Sequence, residues 1–205
     1  MMKITIVSGS HRNASQSEKV ARYIETTLQQ NHPGIEPFVF SLAGNPLPLW
    51  DQSVWEGDER WEQRLAPLRR QLSDSDAFVI VSPEWHGQVP AGLKNFFLLF
   101  NRYELGHKPA LIVAVSAGTG GAYPVAELRM SSYKNNRLCY IPEQVIIRDA
   151  EHVLNDDPQQ NDTDADSYFR ARIDWALKIL LAYGQALKQV RASTPVHDDR
   201  FSNGM

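Results

Sequence analysis

The feature that most constrains the fold is a series of short apolar runs that do not alternate. Lys3–Val7, Ile35–Phe40, Asp76–Val81, Ala110–Ser116 and Gln144–Ile147 each read as a strand. The third and fourth are apolar almost without a break. Strands buried on both faces look like this, whereas a sheet with one wet face alternates apolar and polar side chains. Helical periods separate the runs. Val20, Ile24 and Leu28 share a stripe between about Ser15 and Asn31, and Trp61, Leu65, Leu68 and Leu72 share another. Further helices are expected from about Pro90 to Tyr103, where Pro90 suits a first turn, and near Pro124–Asn135. The last helix carries Phe169, Ile173, Leu177, Leu180, Gly184 and Leu187 on one side. Five such alternations predict an α/β fold, a five-stranded parallel sheet with helices on both faces. A chain of 205 residues suits one core, so a single domain is expected over residues 1–190, followed by a polar, frayed tail over 191–205.

Composition removes several classes of function. The net charge of -3 and a pI of about 6.1 leave no basic stripe for nucleic acid. The longest apolar run, Phe96–Phe100, is far too short to span a bilayer. Cys139 is the single cysteine, so neither an intrachain disulfide nor a cysteine metal cage is available. The six histidines show no ligand spacing, and no metal is expected. Asp162-x-Asp164-x-Asp166 opens like a calcium loop, but Ser167 and Ile173 stand where glycine and glutamate are required. Residues 149–166 hold seven carboxylates and no Lys or Arg, which fits a solvated acidic loop. No Gly-x-Ser-x-Gly elbow is present. With a start that leads straight into a strand, these features point to a cytoplasmic protein with no membrane partner.

Open α/β sheets bind ligands beyond the carboxyl ends of their strands, where the strand order reverses. Three loops have the composition for this, and they follow strands one, three and four, which are neighbours in the order 2-1-3-4-5. The first, Gly9 to Ser17, joins a strand to a helix start and offers Ser10, Arg12, Ser15 and Ser17. Such convergent donors with one guanidinium suit a terminal phosphate. It lacks the glycines of a dinucleotide fingerprint and the Gly-Lys-Ser/Thr of a Walker loop. Ser15 or Ser17 as a simple helix cap explains one serine, not the set. The second loop runs from Ser82-Pro83-Glu84-Trp85-His86-Gly87 through Pro90 to Asn95. A flat ring could lie on its backbone with Trp85 over one face; a turn with a packing tryptophan fits equally well. The third holds Ser116, Gly118, Gly120 and Gly121, whose N–H groups can form an anion nest, although any tight turn can use such glycines.

Taken together these segments resemble the NADPH-dependent FMN reductase family. The first loop is similar to its Gly-Ser-x-Arg-x-x-Ser phosphate loop, and the second to its Ser-Pro-Glu-Tyr-Asn-x-x-x-Pro-x-x-Leu-Lys-Asn segment. The third resembles its glycine-rich loop, and Leu47-Pro48-Leu49-Trp50-Asp51 its Leu-Pro-x-aromatic stretch. The match spans about Ile4 to Tyr123. It implies a flavodoxin-like fold, tightly bound FMN, oxidation of NAD(P)H, preferably NADPH, and a homodimer or homotetramer. By the same resemblance Ser10, Arg12, Ser15 and Ser17 hold the phosphate. Pro83, Glu84, Trp85, His86 and Gly87 line the isoalloxazine, with Ser116, Gly118 and Gly120 at its other edge. His86 replaces the usual Asn and Trp85 the usual Tyr, and the aspartate that commonly follows Leu-Lys-Asn is absent.

The function expected on this basis is an FMN-dependent oxidoreductase that reduces a quinone, azo compound, metal ion or free flavin by ping-pong exchange at one flavin face. The flavin carries the chemistry, so no side chain need be catalytic. His86 reads either as a hydrogen-bonded loop residue or as a proton donor to substrate. The alternative is an electron carrier or flavin-bound regulatory protein that does not itself oxidise NAD(P)H. Phe96–Phe100 projects apolar groups around more than a full helical turn, which predicts a two-fold contact through that helix.

Overall fold

The computed structural model describes residues 1–201, so the last four residues of the expected tail lie outside it. Strands β1 (Met2–Ser8), β2 (Ile35–Ser41), β3 (Ala77–Pro83), β4 (Pro109–Val115) and β5 (Cys139–Ile147) form one parallel sheet in the order β2-β1-β3-β4-β5. The helices are α1 (Gln16–Asn31), α2 (Glu59–Asp74), α3 (Ala91–Leu99), α4 (Arg102–Leu105), α5 (Ala122–Ser131) and α6 (Thr163–Ser193).

Alternate side chains of the central strands feed two cores. Ala77, Val79 and Val81 of β3 pack with α1 and α6 on one face. Phe78 and Ile80 pack with α2, α3 and α5 on the other. Every residue of β3 and β4 is buried, which is why these strands read as unbroken apolar runs. Each fully buried large side chain contributes roughly 1.5–3 kcal/mol. The outcome is the expected three-layer, flavodoxin-like architecture, with β1, β3 and β4 adjacent and their loops at one end.

Four details depart from the sequence reading. The helix expected over Pro90–Tyr103 is two, because the chain extends at Phe100 and Asn101 starts α4 with a capping box closed by Glu104. Strand β5 begins at Cys139 rather than Gln144. Its register against β4 shifts by two residues between Ala110 and Ile112, and Arg129 staples the irregular stretch by donating to Ile141 O at 2.8 Å and Pro142 O at 3.0 Å. Pro142, which has no N–H to give the ladder, masks this strand in the sequence. The boundary expected at 190 falls inside α6, and the described part of the tail makes contacts with the body of the chain. Asp199 pairs with Arg102 at 3.2 Å, and Arg137 donates to Val196 O at 3.4 Å and to Phe201 O. Finally, the apolar run at 96–100 is mostly covered by its own chain. Phe96, Leu99 and Phe100 are buried and Phe97 partly so, which leaves Leu98 as the one exposed member. Among the described residues no helix is long and apolar enough to cross a membrane.

Candidate functional site

The first loop is set by the packing of β1 against β3. Gly9 donates to Val81 O at 2.8 Å, and a Cβ there would lie 2.7 Å from both that oxygen and the Leu93 side chain, so only glycine fits. The chain then turns into α1. Ser15 is its N-cap and accepts from Glu18 N at 3.1 Å; this oxygen serves the helix first. Ser10 Oγ accepts from Arg12 N at 3.3 Å. Ser17 is different. It is buried and its Oγ has no partner, as is true of Ser8 Oγ and His11 Nδ1 nearby. A buried hydroxyl left unpaired costs about 1–3 kcal/mol, and Ser17 lies in the first turn of the sixteen-residue α1, at its positive end. An anion with several acceptor oxygens satisfies this arrangement.

The second loop leaves β3 at Pro83, which is buried, and Glu84 N donates to Val115 O at 3.0 Å. Trp85 and Gln88 exchange backbone hydrogen bonds at 3.1 and 3.0 Å across His86 (φ 51°) and Gly87 (φ 71°). Two left-handed residues make this a tight hairpin turn of the kind that favours Asn-Gly. Histidine in place of asparagine therefore keeps the turn, and the His86 side chain stands exposed. Asn95 is buried on α3, accepts from Trp50 N at 2.8 Å and donates to Pro48 O at 2.8 Å. That clamp fixes the Leu47–Asp51 segment beside the loop. Lys94 pairs with Glu127 at 2.6 Å, whose other oxygen accepts from Val89 N at 2.7 Å, tying the end of the loop to α5.

The third loop is joined to the second by Glu84, whose carboxylate accepts from Gly121 N. A Cβ on Gly120 would run into that carboxylate, so any larger residue there would push Glu84 away from Gly121 N. Gly118 N donates to Ser116 Oγ at 3.3 Å. Two of the nest's N–H groups are thus already paired within the chain. Arg148, at the end of β5, braces the loop by donating from Nε to Thr119 O at 2.7 Å and Gly120 O at 3.1 Å.

Between the first and second loops an open cavity of about 590 Å³ is lined by His11, Arg12, Glu84, Trp85 and His86, within the size range of cofactor sites. Arg12, Glu84, Trp85 and His86 therefore come together as expected. Ser10, Ser15 and Ser17 sit at the adjoining helix start. Ser116, Gly118 and Gly120 stand on the far side of Glu84. The sequence reading passed over His11, whose ring meets Trp85 edge-on at 4.5 Å and 89°. It also gave no role to Asn95 or Arg148.

Residues 2–152 match the family model described as NADPH-dependent FMN reductase, a stretch that holds all five strands and all three loops. The chain belongs to the NADPH-dependent FMN reductase family. Among relatives of this family, an NADPH azoreductase from Bacillus sp. (strain OY1-2) is 26% identical over 190 residues, covering 93% of this chain and 97% of that protein. An FMN-dependent NADPH-azoreductase from Staphylococcus saprophyticus is 24% identical over 96% of this chain and 99% of its own length. In fold, the chain is similar to a flavoenzyme NAD(P)H:acceptor oxidoreductase from Paracoccus denitrificans, with a TM-score of 0.64 and 19% identity over 87% of this chain and 98% of that one.

Proposed function

We propose that this family member holds FMN across the ends of β1, β3 and β4, oxidises NADPH in preference to NADH, and passes the electrons to an azo compound or quinone. The observation that carries the reading is the buried, unpartnered Ser17 Oγ in the first turn of α1, which follows the loop that carries Arg12. A phosphate monoester fits it, and the cavity that Arg12 lines has room for a flat ring system. Arg12, Ser10, Ser17 and the first N–H groups of α1 hold the phosphate, with the Ser15 hydroxyl hydrogen still able to donate. Pro83, Glu84, Trp85, His86 and Gly87 line the ring, and Ser116, Gly118 and Gly120 flank its other edge. FMN supplies the hydride chemistry when bound.

The chain's own contribution is placement. Glu84 locks the third loop against the second. His11 and Trp85 form an aromatic wall, and Asn95 holds Pro48 and Trp50 as the opposite wall for an aromatic donor or acceptor. No side chain need form a bond to substrate. The location is cytoplasmic and the assembly a homodimer or dimer of dimers. Leu98 lies one turn beyond Asn95, Leu49 is exposed in the segment that Asn95 clamps, and Trp55 is exposed four residues after it. Steady-state turnover tests the reading: with NADPH and a quinone or an azo dye, double-reciprocal plots should be parallel, because donor and acceptor use one face in turn. Intersecting lines, or no turnover with either acceptor, would contradict it.

A further inference from the structure

Strand β5 forms one edge of the sheet. A groove of about 350 Å³ runs along this edge, with Arg148, Tyr168, Phe169 and Arg172 around it, and a second of about 510 Å³ adjoins it, sharing Arg148 and Phe169. The first groove holds Arg148 and Arg172 against one carboxylate, that of Glu143, which already pairs with Arg172. Arg148 uses Nε alone to brace the third loop. Its two terminal nitrogens have no protein partner among the described residues. Tyr168 meets Phe169 edge-on at 5.5 Å and remains 62% exposed, so a ring face is available to a stacking partner. One side chain therefore touches both the third loop and an arginine- and tyrosine-lined groove beyond it, with Asp149 and Asp162 in the adjoining groove.

We propose that this groove receives the adenosine half of the nicotinamide donor, with Arg148 pairing with the 2′-phosphate and Tyr168 stacking on the adenine. The inference rests on the function proposed above and adds the donor's second anchor. A dinucleotide is longer than the ring it reduces, so its far half reaches beyond the flavin site. Arg148 is the cation reached first from the third loop. A guanidinium with two unpaired terminal nitrogens matches a phosphate in geometry and charge, and an arginine near the ribose is a general way to accept the NADP 2′-phosphate. Stacking on an aromatic ring is indifferent to that phosphate. Arg148 therefore discriminates NADPH from NADH, whereas Tyr168 serves both.

The test uses the FMN-loaded protein and the variants Arg148→Gln and Tyr168→Ala. Calorimetric titration with 2′,5′-ADP and with 5′-AMP reads the groove without turnover. Arg148→Gln should weaken 2′,5′-ADP at least tenfold and leave 5′-AMP within about twofold, while Tyr168→Ala weakens both. In turnover, Arg148→Gln should raise KM for NADPH at least tenfold more than it raises KM for NADH. Equal losses for NADPH and NADH would show that Arg148 acts only by bracing the third loop, and would overturn the proposal. So would 2′,5′-ADP binding that ignores Arg148, or no binding by the unsubstituted protein. Arg148-dependent binding of 2′,5′-ADP in a protein whose flavin neither nucleotide reduces would sink the proposed function and leave the groove assignment standing.

Discussion

At the scale of single residues the decisive group is Ser17, sealed from water with no partner for its hydroxyl. If it donates to a phosphate dianion, the bond contributes roughly 1.5–3 kcal/mol. Ser17→Ala and Arg12→Ala should each weaken FMN by about tenfold to about a hundredfold, with riboflavin, which has no phosphate, nearly unchanged. Equilibrium titration with the two flavins checks this, and equal losses for both would assign the pair a structural role. Ser10, Arg12 and Ser17 stand out in the sequence because a hydroxyl-rich turn with one arginine between a strand and a helix suits a phosphate, and the proposal for them rests on that pattern and on the buried Ser17. His11 sits in the same loop and was not legible. Its place against Trp85 depends on how two loops distant in the chain approach each other, and no local pattern encodes that. The displacement of Ser15 toward capping duty was visible only as one of two options until Glu18 N was seen to donate to it.

At the scale of elements, much of the alignment between helices depends on buried polar ties that a hydrophobic pattern does not show. Lys108 is the clearest. It is 5% exposed, and its ammonium donates to Leu72 O, Ser73 O and Glu104 O at 2.7–2.8 Å, joining α2, α4 and the start of β4. Burial, with the Arg191 charge adding to it, draws this amine from its ordinary 10.5 down to about 7. The folded pKa is therefore the lower one, and between about 7 and 10.5 the unfolded chain binds more protons than the folded one. Stability attributable to Lys108 should rise with pH across that window. The unfolding free energy of the parent minus that of Lys108→Met should increase from pH 6.5 to pH 9.5, measured by urea denaturation. A difference that stays flat, or falls, would refute the coupling. The split of one expected helix into α3 and α4 was written in the sequence as Asn101-x-x-Glu104, but the apolar run Phe96–Phe100 masks that signal. The early start of β5 was hidden by Pro142 and is stabilised by Arg129 from another element. The central strands, by contrast, were legible because burial on both faces leaves an unbroken apolar run.

At the scale of the whole molecule, the strand order brings three separated loops to one end, and the sheet's two cores hold the strands that carry them. The same topology leaves Leu49, Trp55 and Leu98 uncovered, with exposures of 76%, 78% and 64%. If they meet a second copy, light scattering at micromolar concentration should show a dimer or tetramer, and Leu98→Glu should shift it toward monomer without loss of FMN. A monomer from the start would end that part of the account. The central claim is that this architecture presents a flavin to a nicotinamide donor, and the most direct test is a half-reaction. The FMN-loaded protein is mixed with NADPH in the absence of oxygen and the flavin absorbance is followed. The account predicts bleaching within seconds, with one NADPH oxidised per flavin. A flavin that stays oxidised for minutes with both NADPH and NADH, yet is readily reduced by a reductase protein, would contradict it and make the chain an electron carrier.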